Sequence, residues 1–229
     1  MRFIRPETSY EKQITEIKSY LRTIGRNSNF LALKAFNFAR EYHTGMRKGG
    51  NAPEYSHQVF IANYARSLES GLIYPQETLA AIFLHDVCED YDVTYEEIEE
   101  LFGKRVRNAV EAMTKVYKGE KVPYPTYFAN IAKDPIASIA KGIDRCHNIL
   151  TMSDAEWTTV KQEDYLIDIT DWFLPMLKEA RERFPEQWGA YENIKGNLLM
   201  QAKHIQLNIV LRNQFENRSL TGLSIGGNG

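Results

Sequence analysis

Cysteine is scarce. Cys88 and Cys146 are the only two in 229 residues, and they stand singly with no CxxC spacing. That excludes a disulfide framework and a zinc ribbon and leaves two buried free thiols as the expectation. No stretch approaches the roughly 18 uncharged apolar residues that a membrane-spanning helix needs. The opening MRFIRPETSYEK places charges inside the only apolar run available to a signal peptide, so the expected location is the cytoplasm. An excess of one charge is lacking too. With 28 basic against 30 acidic side chains, neither nucleic acid nor a membrane surface is indicated as a partner. There is no repeat of roughly 20 to 50 residues, and no segment alternates apolar and polar residues as a half-buried strand does.

What is present is helical periodicity. Thr8 and Glu11 have capping-box spacing ahead of EKQITEIKSYLRTI, whose Ile14, Ile17, Tyr20 and Leu21 recur at helical intervals. A second helix is predicted over about 29–43, before TGMRKGGNAPEYS interrupts it with three glycines and a proline. SHQVFIANYARSL predicts a helix with His57 in its first turn. PQETLAAIFLHDVCED predicts one running unbroken from Pro75. Further helices are predicted near 105–115, 124–132, 134–150, 158–184 and 185–211, with Thr94 and Glu97 capping one more. The fold class is therefore all-α. A single unit over 1–212 with an extra N-terminal helix is expected, followed by a flexible tail over 213–229 rich in Gly, Ser and Asn.

Within this apolar pattern IFLHDVCEDYD is anomalous, because it sets His85, Asp86, Glu89 and Asp90 beside Ile82, Phe83, Leu84 and Val87. Burying those charges is costly unless they are paired. In a continuous helix His85 and Glu89 would lie one turn apart, as would Asp86 and Asp90. IASIAKGIDRCHNILTM has a second such break, with Asp144 and Asn148 four residues apart among buried-looking isoleucines. His57, His85, Asp86 and Asp144 together offer two imidazoles and two carboxylates, a set suited to Mn²⁺, Fe²⁺, Zn²⁺ or a similar ion. Such an ion would offset the buried negative charge, lower the pKa of a bound water and polarise a phosphorus centre.

With these residues placed, the chain resembles the HD superfamily of metal-dependent phosphohydrolases, named for an adjacent His and Asp, here His85 and Asp86. FAREYHTGMRKGG, His57, LAAIFLHDVCED, TYEEIEELFG, VEAMTK and KGIDRCHNILTM follow in the order seen in the hydrolase domain of RelA/SpoT-type alarmone enzymes, over about 31–152. The resemblance implies an HD-domain helical bundle that binds Mn²⁺ through His57, His85, Asp86 and Asp144. It implies that Glu89 and Asp90 orient or deprotonate the attacking water. Arg47 and Lys48 would border the nucleotide, and Asn148 with Thr151 would contact its ribose or a phosphate. The implied activity is hydrolysis of (p)ppGpp to GDP or GTP and pyrophosphate, by a stand-alone hydrolase, because the synthetase domain of that family needs more chain than follows Phe184. Three departures stand out: a loop before His57 longer by a residue, Gln58 in place of a common proline, and KGIDRCHN in place of KLADRLHN.

Plainer readings accompany these. His43, at a helix end before a glycine, is expected to cap or pack; His147 to support a ligand or fill the core; His204 to lie on the surface. The acidic runs YEEIEE and KEARERFPE read as exposed helix faces. Two alternatives to the alarmone activity are a phosphohydrolase of NADPH, a dNTP or a nucleoside monophosphate, and a catalytically silent nucleotide-binding regulator. Each makes a small-molecule nucleotide the partner. The sequence specifies no oligomeric state.

Overall fold

The computed structural model describes residues 9–47, 52–153 and 157–222, with side chains for all of these except 153 and 215–222. The first helix, α1 (Tyr10–Ile24), buries Ile14, Ile17 and Leu21 and is capped by Ser9, whose Oγ accepts from Lys12 N at 3.3 Å. Thr8, expected in that role, lies outside the described residues. A tight corner follows in which Asn29 and Phe30 take positive φ of 51° and 55°. Phe30 folds onto Gly25 so closely that a Cβ there would sit 2.9 Å from its ring.

Two helices form the centre. Helix α4 (Pro75–Leu84) is buried at every position from Thr78 to Leu84, as a helix that is apolar all round must be. Against it lies α2 (Leu31–Tyr42), whose buried face is Ala32, Ala35, Phe36 and Ala39; three alanines allow the close approach. The second central helix, α9 (Pro135–Leu150), begins at Asp134, whose Oδ1 accepts from Ile136 N and Ala137 N at 2.8 Å each. Helix α3 (Ser56–Ser67) packs on both central helices. A Cβ at Gly142 would meet Ile194 Cγ2 at 2.9 Å and Leu177 Cδ2 at 3.2 Å, so this glycine lets α11 (Leu174–Arg183) and α12 (Trp188–Gly222) close over α9. One apolar cluster runs through all of these, from Ile14 to Ile209. The fold is all-α.

Four features depart from the sequence expectation. The helix expected to run unbroken from Pro75 stops at Leu84, and a separate turn, α5 (Val87–Asp90), starts after His85 and Asp86. Between α7 (Lys104–Met113) and α8 (Tyr124–Ala132) a small hairpin pairs β1 (Val116–Tyr117) with β2 (Glu120–Lys121). Two-residue strands are too short to show alternation, and the hairpin turns on Lys118 and Gly119, both at positive φ. The stretch expected as one helix over 158–184 contains a π-helical turn at Ile169–Phe173 between α10 (Thr159–Asp168) and α11. Finally, α12 continues to Gly222, past residue 213, where the tail was expected to begin. The remaining helix, α6 (Tyr95–Phe102), has the expected cap, with Thr94 Oγ1 accepting from Glu97 N.

Candidate metal centre

The end of α4, the first turn of α3 and the middle of α9 meet at one point. His85 terminates α4, and its Nδ1–H donates to the Ile82 carbonyl at 2.7 Å. That bond fixes the tautomer and leaves the Nε2 lone pair free. His85 Nε2 is buried and has no hydrogen bond, although Asp86 Oδ2 lies 2.8 Å away and Asp144 Oδ1 3.9 Å away. Leaving such an atom unsatisfied costs about 1–3 kcal/mol. Burial of Leu79, Ile82, Phe83 and Leu84 on the same helix stabilises by about 1.5–3 kcal/mol each, so the core offsets the cost of the unsatisfied imidazole nitrogen.

His57 presents Nε2 to Asp144 Oδ1 at 3.0 Å, while its Nδ1 lies 2.7 Å from Nδ1 of His147. Asp144 is used on both oxygens. Oδ1 faces the two imidazoles and accepts from Asn148 Nδ2 at 2.8 Å; Oδ2 pairs with Lys141 Nζ at 2.8 Å. Donor atoms of His57, His85 and Asp144 all lie within 4.8 Å of one another, and all three residues are buried. Asp86, partly exposed, adjoins this triad through His85 rather than belonging to it.

The electrostatics follow from burial and charge. Burial alone would raise the Asp144 carboxyl, but Lys141 and then His57 and His85 hold it well below the usual carboxylate range. Asp86 is likewise pushed up by burial and pulled down further by the imidazole of His85. Burial lowers His57, against the pull of Asp144. In His85 the desolvation that would lower it is outweighed by Asp86, and the net shift is upward. His147 is driven down to about 3 by burial, His57 and Arg47. It therefore stays neutral and supports His57.

The other expected site residues are placed as follows. Asp90 is raised to about 6 by burial and by the neighbouring carboxylates of Asp86, Glu89 and Glu54. Glu89 is exposed, and its Oε2 accepts from Lys115 N at 2.8 Å, at the entrance to the hairpin. Arg47 is half-buried and feels the carboxylates of Asp144, Asp86 and Glu54; Lys48 lies outside the described residues. Asn148 bonds Asp144, and Thr151 Oγ1 donates to the His147 carbonyl at 3.1 Å, at the end of α9. His43 is buried in a polar network with Glu54, Tyr91 and Gln58, the packing role expected of it. Lys141 was missed. Its sequence signal is a lone lysine in an apolar helix one turn before Asp144; burial would lower its ammonium, but Asp144, with Tyr127 and Asp86, holds it well above the ordinary lysine range.

Two imidazole nitrogens and a carboxylate oxygen, converging around a buried nitrogen with no hydrogen bond, fit a borderline divalent cation. A family model for the HD domain matches residues 35–166, more than half of the chain. The chain belongs to the HD-domain family. The guanosine-3′,5′-bis(diphosphate) 3′-pyrophosphohydrolase of Aquifex aeolicus is 36% identical over 124 residues, 52% of this chain and 17% of that protein. A probable enzyme of the same name from Synechocystis is 32% identical over 154 residues, 64% and 20% of the two chains. The match thus spans a fifth or less of the length of these relatives. A solved structure, that of a metazoan ortholog of SpoT that hydrolyzes ppGpp, aligns with a TM-score of 0.58 at 22% identity over 76% of this chain and 94% of its own. That likeness is one of fold. In the HD domain of this chain the defining dipeptide, His85-Asp86, sits at the break between α4 and α5.

Proposed function

We propose that this HD domain is a divalent-metal-dependent 3′-pyrophosphohydrolase acting on (p)ppGpp, with Mn²⁺ as its metal, in the cytoplasm. The observation that carries the reading is the buried convergence of His57, His85 and Asp144 from three helices. It lies within the region over which relatives named for this activity are 32% to 36% identical.

In this reading His57, His85, Asp86 and Asp144 would hold the metal, which when bound would supply a water of lowered pKa and polarise the phosphorus. Lys141 and Asn148 fix the Asp144 carboxylate between them. Asp90, raised to about 6, is matched to accept a proton near neutral pH, with Glu89 beside it orienting the water. The water oxygen forms the new bond to the 3′-linked phosphorus, the P–O3′ bond breaks, the ribose oxygen takes up a proton, and pyrophosphate leaves. Arg47 and Lys48 balance the phosphate charge or stack on the base, and Asn148 and Thr151 face the nucleotide.

The test is an assay of the Mn²⁺-loaded chain against ppGpp, NADPH and a dNTP panel, with products separated by anion exchange. Pyrophosphate and GDP from ppGpp are expected. Turnover of NADPH or a dNTP in preference would move the substrate assignment, and binding without turnover at saturating Mn²⁺ would make the domain a silent regulator.

A further inference from the structure

Between α2 and α3 the chain runs out and back. Glu54 N–H donates to the Gly45 carbonyl and Arg47 N–H to the Ala52 carbonyl, each at 2.9 Å, and Met46 pairs with Pro53 in an antiparallel bridge. Arg47 is thus carried on one arm of this excursion, and Glu54 stands at the base of the other. A Cβ at Gly45 would lie 3.1 Å from Glu54 Oε2, so the glycine leaves the carboxylate room.

Three parts of the site meet at Glu54. Its carbonyl accepts from His57 N–H at 3.2 Å, in the first turn of α3. Its carboxylate accepts from the Tyr91 hydroxyl, 3.3 Å from each oxygen. Tyr91 directly follows Glu89 and Asp90, and its N–H closes α5 on the Val87 carbonyl at 3.1 Å. Oε1 also lies 3.4 Å from His43 Nδ1, at the end of α2. His43 Nε2 is 3.3 Å from Gln58 Nε2. An amide nitrogen can only donate, so Nε2 is the acceptor and Nδ1 carries the proton toward the carboxylate.

These contacts are sheltered. His43 is buried, Glu54 and Tyr91 are half-buried, and the rings of His43 and Tyr42 pack on Tyr91 with centroids 5.0 and 5.5 Å away. Burial and then Glu54 push the Tyr91 hydroxyl up to about 12, so it is a donor at neutral pH. A hydrogen bond to a carboxylate is stronger than one between neutral groups. The two backbone bonds between the arms align the excursion with itself, whereas the Glu54 carboxylate ties it to Tyr91 and so to the turn that carries Asp90.

We propose that Glu54 is a positioning residue: through Tyr91 and His43 it locks the arm carrying Arg47 against the turn carrying Glu89 and Asp90, so that Arg47 meets the nucleotide at a fixed place. The role of Arg47 rests on the activity proposed above; the tether itself does not.

The test compares two variants of the full chain with the parent. Tyr91→Phe keeps the ring and deletes the hydroxyl, and Glu54→Gln keeps the shape and deletes the charge. Hydrogen exchange at the Arg47 and Glu54 amides should quicken about three- to ten-fold in each, the effect of losing one hydrogen bond at a partly exposed site. Ile82 and Phe83 in α4 should exchange as in the parent. The double variant should be no faster than Glu54→Gln alone, because the hydroxyl acts through that carboxylate. With the metal-loaded chain and ppGpp, KM should rise by a similar factor while kcat stays near that of the parent, since α5 keeps its backbone bonds to Asp86. Unchanged exchange at both amides, or exchange quickened equally at Ile82 and Phe83, would overturn the tether. Faster exchange of the arm with an unchanged KM would overturn its bearing on the nucleotide. A parent that does not turn over ppGpp would instead sink the proposed activity, and the exchange result would still decide the tether.

Discussion

Asp144 shows how one side chain can be shared. One oxygen faces His57 and His85 and accepts from Asn148, and the other is held by Lys141. Asn148 therefore supports a candidate ligand directly. Asn148→Ala is expected to weaken divalent-metal affinity about 10- to 100-fold, the range for removing a partner of a ligating carboxylate, as read by calorimetry. If Asn148 served the nucleotide alone, affinity for the metal would be unchanged and only KM would rise. Asp90 carries a different expectation. A base is active deprotonated, so activity should be present above the Asp90 pKa and lost as pH falls through it. With that pKa raised to about 6 and a bound cation drawing it down, the acid limb of the rate profile should lie at or below pH 6. Asp90→Asn should lower kcat and abolish that limb, whereas an unchanged limb would place the titration elsewhere. The clustering of His57, His85 and Asp144 was anticipated at this scale because two histidines and two aspartates among apolar residues need compensation. Lys141 was passed over, because a lone lysine in an apolar helix marks the position without showing whether its amine reaches solvent or a carboxylate.

Helix α9 brings Asp144, Asn148 and His147 to the centre, and its start is held by two bonds to the Asp134 carboxylate. Asp134→Ala should cost about 1 kcal/mol, a fall in Tm of about 2–4 °C for a chain of this size, measured by thermal melting monitored by circular dichroism. The metal affinity should stay near that of the parent, since the cap lies more than two turns from Asp144. Most helix positions could be read from periodicity, because packing of an amphipathic stripe enforces it. The interruption after Leu84 could not. Apolar periodicity continues through Val87, and only the tertiary environment makes it favourable for His85 to bond Ile82 and for a new turn to begin at Val87. The π turn at Ile169–Phe173 and the short hairpin are similar: each is a local deviation set by packing, below the length at which a periodic pattern is visible.

For the whole molecule, the buried histidines couple stability to pH. His43, His57 and His147 are lowered from the ordinary 6.5 by burial in the first place, and His147 lies at about 3. Above pH 6.5 folded and unfolded chains both carry them neutral. As pH falls below 6.5 the unfolded chain takes protons first, and stability is lost. His85 is raised and acts oppositely: its contribution is present below 6.5 and is lost as pH rises through its folded value. Asp90, raised to about 6, also opposes the loss, because the folded chain takes up its proton first as pH falls through that value; three lowered histidines against these two predict a metal-free chain that weakens between pH 7.5 and 5, by at most about 1.4 kcal/mol per pH unit for each uncompensated histidine. Urea midpoints at the two pH values check this, and an equal or higher midpoint at pH 5 would contradict it. Among the described residues no helix is long and apolar enough to cross a membrane. The sequence by itself determined the helical class, the order of the helices and the residue types able to hold a cation, because periodicity and the cost of buried charge are local and can be read along the chain. Only the tertiary structure decided that His57, His85 and Asp144 face one another while Asp86 stands beside them, and that Lys141 guards one carboxylate oxygen. Those are distances between helices remote in sequence, and they are set by how alanines, Gly142 and the buried isoleucines let the helices approach.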